Sequence, residues 1–107
     1  MEGDFIVVLI TTGSQEEALR IARTLVEEKL AACVNVVPRV SSFYWWEGKV
    51  QEDEESLMVV KTKAPLFPAL EKRVRELHSY TVPEIIALPI KEGFRGYLDW
   101  LADSVLR

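Results

Sequence analysis

The chain has 107 residues, a formal net charge of −4, and 49% hydrophobic residues. That length fits one domain built on one core and leaves no room for two, and the composition is globular rather than disordered. Lys and Arg are interspersed with Asp and Glu and form no basic stripe, which argues against nucleic acid and anionic membranes as partners. The one cysteine, Cys33, cannot make an intrachain disulfide framework and suits a reducing compartment. The start, Met1 to Gly13, carries two acids before a short apolar run; a secretory signal would want positive charge and a longer apolar segment. No window reaches the length of a membrane span. The expectation is one soluble, cytoplasmic domain over residues 1–107.

Phe5 to Thr12 is a continuous apolar run rich in β-branched residues, which predicts a strand buried on both faces and central in its sheet. Gly13 ends it. Ser14 with Glu17 three residues later forms a capping box, so a helix begins there. Ala18, Ile21, Ala22, Leu25 and Val26 make its apolar stripe, and it should end near Lys29 or Leu30. A long strand then runs from Ala31 into the turn Glu47-Gly48. Pro38 cannot donate to a ladder and should mark a bulge or bend. If the alternation ran unbroken, Val34, Val36, Pro38, Val40, Ser42, Tyr44 and Trp46 would share one face. Cys33, Asn35, Val37, Arg39, Ser41, Phe43 and Trp45 would share the other. Near residues 43–46 both faces want burial, so a third layer or another subunit must cover one of them. The return strand runs from about Lys49 to Thr62, with an acidic outer half that should protrude.

Ala64-Pro65 opens a second helix with Phe67, Leu70, Val74 and Leu77 as its buried stripe. Val82-Pro83-Glu84 blocks its continuation, and Ile85 to Ile90 is a short strand. Tyr97, Leu98, Leu101 and Val105 form a C-terminal amphipathic helix, with Trp100 and Leu106 beside the stripe. The order is β-α-β-β-α-β plus a helix, an α+β chain of ferredoxin-like arrangement with an antiparallel sheet and a long β2-β3 hairpin. Such a sheet leaves one face bare, and symmetric self-association is the usual cover. Phe43, Tyr44, Trp45 and Trp46 are the expected interface residues.

Three places could carry chemistry. Cys33 and His78 are borderline metal ligands, but no ligand pair at metal spacing supports them, and a strand Cys is ordinarily a small buried hydrophobe. Glu52, Asp53, Glu54 and Glu55 alternate across a strand, so they do not converge on one cation and serve better as a charged edge. The segment His78-Ser79-Tyr80-Thr81-Val82-Pro83-Glu84 concentrates a His, hydroxyls, a phenol and a carboxylate in a helix-to-strand loop; turn chemistry explains part of it, and Tyr80 and Glu84 read as cleft residues. No nucleophile motif, dinucleotide fingerprint or phosphate loop appears, and Gly93-Phe94-Arg95-Gly96 is too short for one. Trp45 and Trp46 could stack a base but have no basic groove beside them.

Glu28-Lys29-Leu30-Ala31-Ala32-Cys33-Val34-Asn35, Pro38, Ser42, Tyr44-x-Trp46-x-Gly48-Lys49, Glu54, Lys61-Thr62, His78-x-Tyr80-x-x-Pro83-Glu84-Ile85 and Tyr97-Leu98-x-Trp100 resemble the CutA family of divalent-cation tolerance proteins. The resemblance runs through essentially the whole chain. It implies a ferredoxin-like subunit and a tight homotrimer built by long strands, with links to copper and other divalent cations and no established enzymatic activity. It also implies a PII-like architecture with a cleft near subunit boundaries. Copper ligation in the family is attached to a first-strand Cys and a pair of adjacent His; here Ile10 or Thr11 and Leu77-His78 stand at those places.

The leading expectation is therefore a trimeric binding or signal protein, with Cu(II) or another divalent cation as a ligand not required for folding. His78 is the first candidate metal ligand and Glu84 the second. The alternatives are a PII-like regulator binding an anionic metabolite in a cleft of Tyr80, Glu84, Lys61 and Trp46, or a structural trimer with no dedicated metal site.

Overall fold

In a computed structural model, which describes residues 4–107, the strands form one antiparallel sheet in the order β2-β3-β1-β4. β1 (Phe5–Thr12) lies between β3 (Lys49–Lys63) and β4 (Ile85–Pro89), the interior place its apolar run requires. Ile6, Val8 and Ile10 point to one side and pair across the ladders with Thr62, Val60 and Met58. On that side α1 (Gln15–Glu27) and α2 (Phe67–Leu77) supply Ala18, Ile21, Leu25, Leu70 and Val74, all fully buried in the same core. Val26, read as part of the α1 stripe, is instead 41% exposed, just off its edge.

α1 stops earlier than its stripe suggests. Lys29 takes φ 60, and the N–H groups of Lys29 and Leu30 return to the carbonyls of Val26 and Leu25. This is a Schellman closure, with Leu30 packing back into the core beside Leu25. A single 3₁₀ turn at Ala64–Leu66 takes Pro65, and α2 starts after it at Phe67.

β2 (Cys33–Trp46) and β3 form the long hairpin, which stretches the molecule to 44 Å against 25 and 22 Å in the other directions. The bulge expected at Pro38 is present: Val37 pairs with Leu57, yet Val40 pairs with Glu55. One extra residue on β2 reverses its alternation. Val34 and Val36 face the helices, whereas Val40, Ser42, Tyr44 and Trp46 lie on the opposite face, with Cys33, Asn35 and Val37. The unbroken alternation therefore fails at this point. Ser56 secures the bulge by donating its hydroxyl to the Pro38 carbonyl at 2.7 Å.

α3 (Arg95–Ser104) covers part of that opposite face. Its Leu101 is buried, as is Val105 just past its end. The remainder is bare in the single chain: Ile86 and Leu88 are each 49% exposed and Val37 39%.

Candidate functional site

The loop after α2 must carry the chain to β4, and side chains from distant elements hold it. His78 caps α2 with its N–H on the Val74 carbonyl. Its ring is wholly buried, with Nε2 2.7 Å from the Thr11 carbonyl and Nδ1 3.0 Å from the Tyr80 amide nitrogen. A carbonyl can only accept and an amide N–H can only donate, so Nε2 carries the hydrogen and Nδ1 accepts. Glu17 accepts from the Ser79 N–H at 2.8 Å and from the Ser79 hydroxyl at 2.9 Å. Only half of the expected capping box therefore forms: Ser14 caps the Glu17 amide, while the Glu17 side chain turns to the loop.

Tyr80 then lies against the sheet. Its ring sits 4.7 Å from that of His78, and its hydroxyl donates to Glu55 Oε2 at 2.8 Å. Burial first, then the bond to Glu55, pushes its phenol pKa well above the usual tyrosine value. Gly13 makes room for this placement, since a Cβ there would come within 3.2 Å of the phenol oxygen. Tyr44, across the same face, donates to Asp53, and that bond is the first cause of its own raised pKa.

These side chains line a cleft of about 520 Å³ along the outer half of the hairpin. β2 contributes Ser42, Phe43, Tyr44 and Trp46; β1 and β3 contribute Thr11 and Glu55; the loop contributes Tyr80, Thr81, Val82 and Glu84. Tyr80, Glu84 and Trp46, read from sequence as cleft residues, are thus brought together. Lys61 is not. It lies further along β3, bonded to Asn35 and 4.0 Å from the Cys33 sulfur. Cys33, read as a core residue, is half-buried on the face away from the core cluster.

His78 does not fit a metal. Both ring nitrogens are engaged and the ring is sealed from solvent. Among the described residues, no group of three or more His, Cys, Asp and Glu side chains is placed to hold one ion. Glu84 is exposed at the cleft, so of the two candidate ligands only it is accessible. Phe43, Tyr44, Trp45 and Trp46 are 66%, 38%, 74% and 48% exposed, a run of large aromatic surfaces along the hairpin. Sequence reasoning missed Glu17 as the loop's anchor and Glu55 as the partner of Tyr80. The only available signal for Glu55 was its place where the acidic run meets the apolar half of β3.

Residues 6–104 match the CutA1 family, described as divalent ion tolerance protein. The chain belongs to the CutA1 family. A divalent-cation tolerance protein CutA of Thermus thermophilus is 60% identical over 92% of this chain and 95% of its own length. The solved structure of a Cut A1 protein from the same organism superposes with a TM-score of 0.92 at 58% identity, covering 94% of this chain and 98% of that one. Protein CutA 1, chloroplastic, of Oryza sativa is 52% identical over 92% of this chain, and the match takes in 56% of that protein. The ferredoxin-like α+β arrangement is thus that of the CutA1 structures. Among the described residues of this CutA1 chain, no helix is long and apolar enough to cross a membrane.

Proposed function

We propose that this CutA1 chain is a homotrimeric, non-enzymatic binding protein of the divalent-cation tolerance class, taking a small ligand in the cleft between the hairpin and the Tyr80–Glu84 loop. The observation that carries this reading is the cleft itself. It has the size of a small-molecule site, an aromatic wall and a few polar groups fixed by hydrogen bonds, and its loop is tied down by Glu17 and His78 from beneath. The trimer reading is supported by the bare apolar face and the hairpin aromatics. A large apolar side chain left half exposed forgoes much of the roughly 1.5–3 kcal/mol that full burial provides. A shared hairpin would place the cleft at a subunit boundary. The binding reading is supported by Tyr80, whose phenol is held in its protonated form beside Glu55, an arrangement that positions rather than activates it. A cytoplasmic setting is favoured by the free thiol of Cys33.

Direct divalent-cation contact, in this reading, falls on Glu84 and not on His78. Calorimetric titration of Cu(II) into the wild type and His78→Ala tests the division. Equal heats are expected from the folded proteins. Loss of the heat in His78→Ala, with the fold intact by circular dichroism, would return His78 to the ligand set.

A further inference from the structure

The Tyr80 end of the loop hangs from one ring nitrogen. His78 is the only histidine in the chain, and its neutral ring gives Nε2–H to the Thr11 carbonyl and takes the Tyr80 N–H on Nδ1. Glu17 Oε2 stands 3.5 Å from that same Nδ1, which in the neutral ring has no hydrogen to offer it.

One proton reverses these relations. An imidazolium donates from both nitrogens. Nε2–H keeps the Thr11 carbonyl, but Nδ1–H now meets the Tyr80 N–H donor against donor. Its acceptor becomes Glu17, the one carboxylate within 4 Å of the ring nitrogens among the described residues. That carboxylate offsets the cost of a buried positive charge, so the ring can charge without the core opening. β1 presents only a carbonyl to the ring, and the loop presents Tyr80, whose own ring is 4.7 Å away. Glu55 of β3 is one step removed, behind the Tyr80 hydroxyl. The imidazole is wholly buried within its own chain, so a neighbouring copy cannot touch it.

We propose that His78 is a proton-operated latch: protonation trades the Tyr80 N–H for Glu17 and releases the Tyr80–Glu84 loop. The expelled amide must turn toward water, and the same residue carries the phenol that bonds to Glu55. Ser79 stays on Glu17, so release begins at Tyr80 and not at the end of α2. The latch depends on the loop's own hydrogen bonds and not on what the cleft binds.

The test is nuclear magnetic resonance of the labelled full chain from about pH 8 to about pH 5, the span over which histidine ordinarily changes charge. The imidazole signals belong to one residue. They should titrate with the same midpoint as a shift and faster solvent exchange of the Tyr80 amide, while Val8 and Leu25 stay protected. His78→Asn keeps an acceptor for the amide two residues on and has no proton to gain, so its loop signals should not move. Glu17→Gln should displace the wild-type midpoint to lower pH. A ring that titrates while the Tyr80 amide stays in place overturns the latch. So does a loop that moves equally in His78→Asn, or a ring that stays neutral throughout the span.

Discussion

Glu17 occupies the third position of α1, where a carboxylate ordinarily folds back onto the N-cap of its own helix. Here it is 7% exposed and accepts both hydrogen bonds that Ser79 can donate. Glu17→Ala leaves a loop N–H unpaired, and denaturant unfolding should register a loss of about 1–3 kcal/mol. Glu17→Gln, which keeps an acceptor, should lose less. Tyr80 adds a pH dependence of known sign. Its folded pKa is raised by burial and by Glu55, so the stability it contributes is complete below the ordinary tyrosine value of about 10 and is lost as pH rises past it. In Tyr80→Phe, stability should be lower at neutral pH and fall less steeply in alkaline solution, as followed by urea midpoints. Neither the Glu17–Ser79 nor the Glu55–Tyr80 pair was legible in the sequence. Their members lie 62 and 25 residues apart, and no local pattern marks which carboxylate a folded loop will meet. The loop's own content was legible, because its polar residues are contiguous.

Elements were far more readable than the contacts between them. A continuous β-branched run specified the interior strand, and helical spacing specified the core faces of α1 and α2, because burial is what those periods record. The hairpin turn was equally plain. Glu47 and Gly48 take φ 52 and 78, the two left-handed positions of a type I′ turn. Gly48→Ala meets no atom within 4 Å, so its cost is backbone strain alone, about 1 kcal/mol by thermal unfolding. What alternation could not convey was the phase change at Pro38. Proline announced a bulge but not how many residues it would insert. One extra residue sends Tyr44 and Trp46 to the cleft side of the sheet rather than to the side of Val34 and Val36. The bulge thus makes the aromatic wall of the cleft out of a strand whose first half builds the core.

At the scale of the whole molecule, the sheet has one satisfied face and one unsatisfied face. α3 covers the second only in part, and the hairpin carries its aromatics beyond the body of the chain. Both features ask for copies of the same surface. Leu88 lies on the bare face at 49% exposure, so Leu88→Glu should leave a single chain folded while placing a charge in the proposed interface. Trp45→Ala removes the most exposed of the hairpin aromatics, and buried aromatics of this kind contribute about 2 kcal/mol or more each to interfaces. The most direct test is sedimentation equilibrium of the wild type, Leu88→Glu and Trp45→Ala over a range of low concentrations. The account predicts a wild-type particle of three times the 12.2 kDa chain mass, weakened by Trp45→Ala and dissociated by Leu88→Glu with circular dichroism retained. A wild type sedimenting as a single chain, or an assembly that neither substitution disturbs, would contradict it.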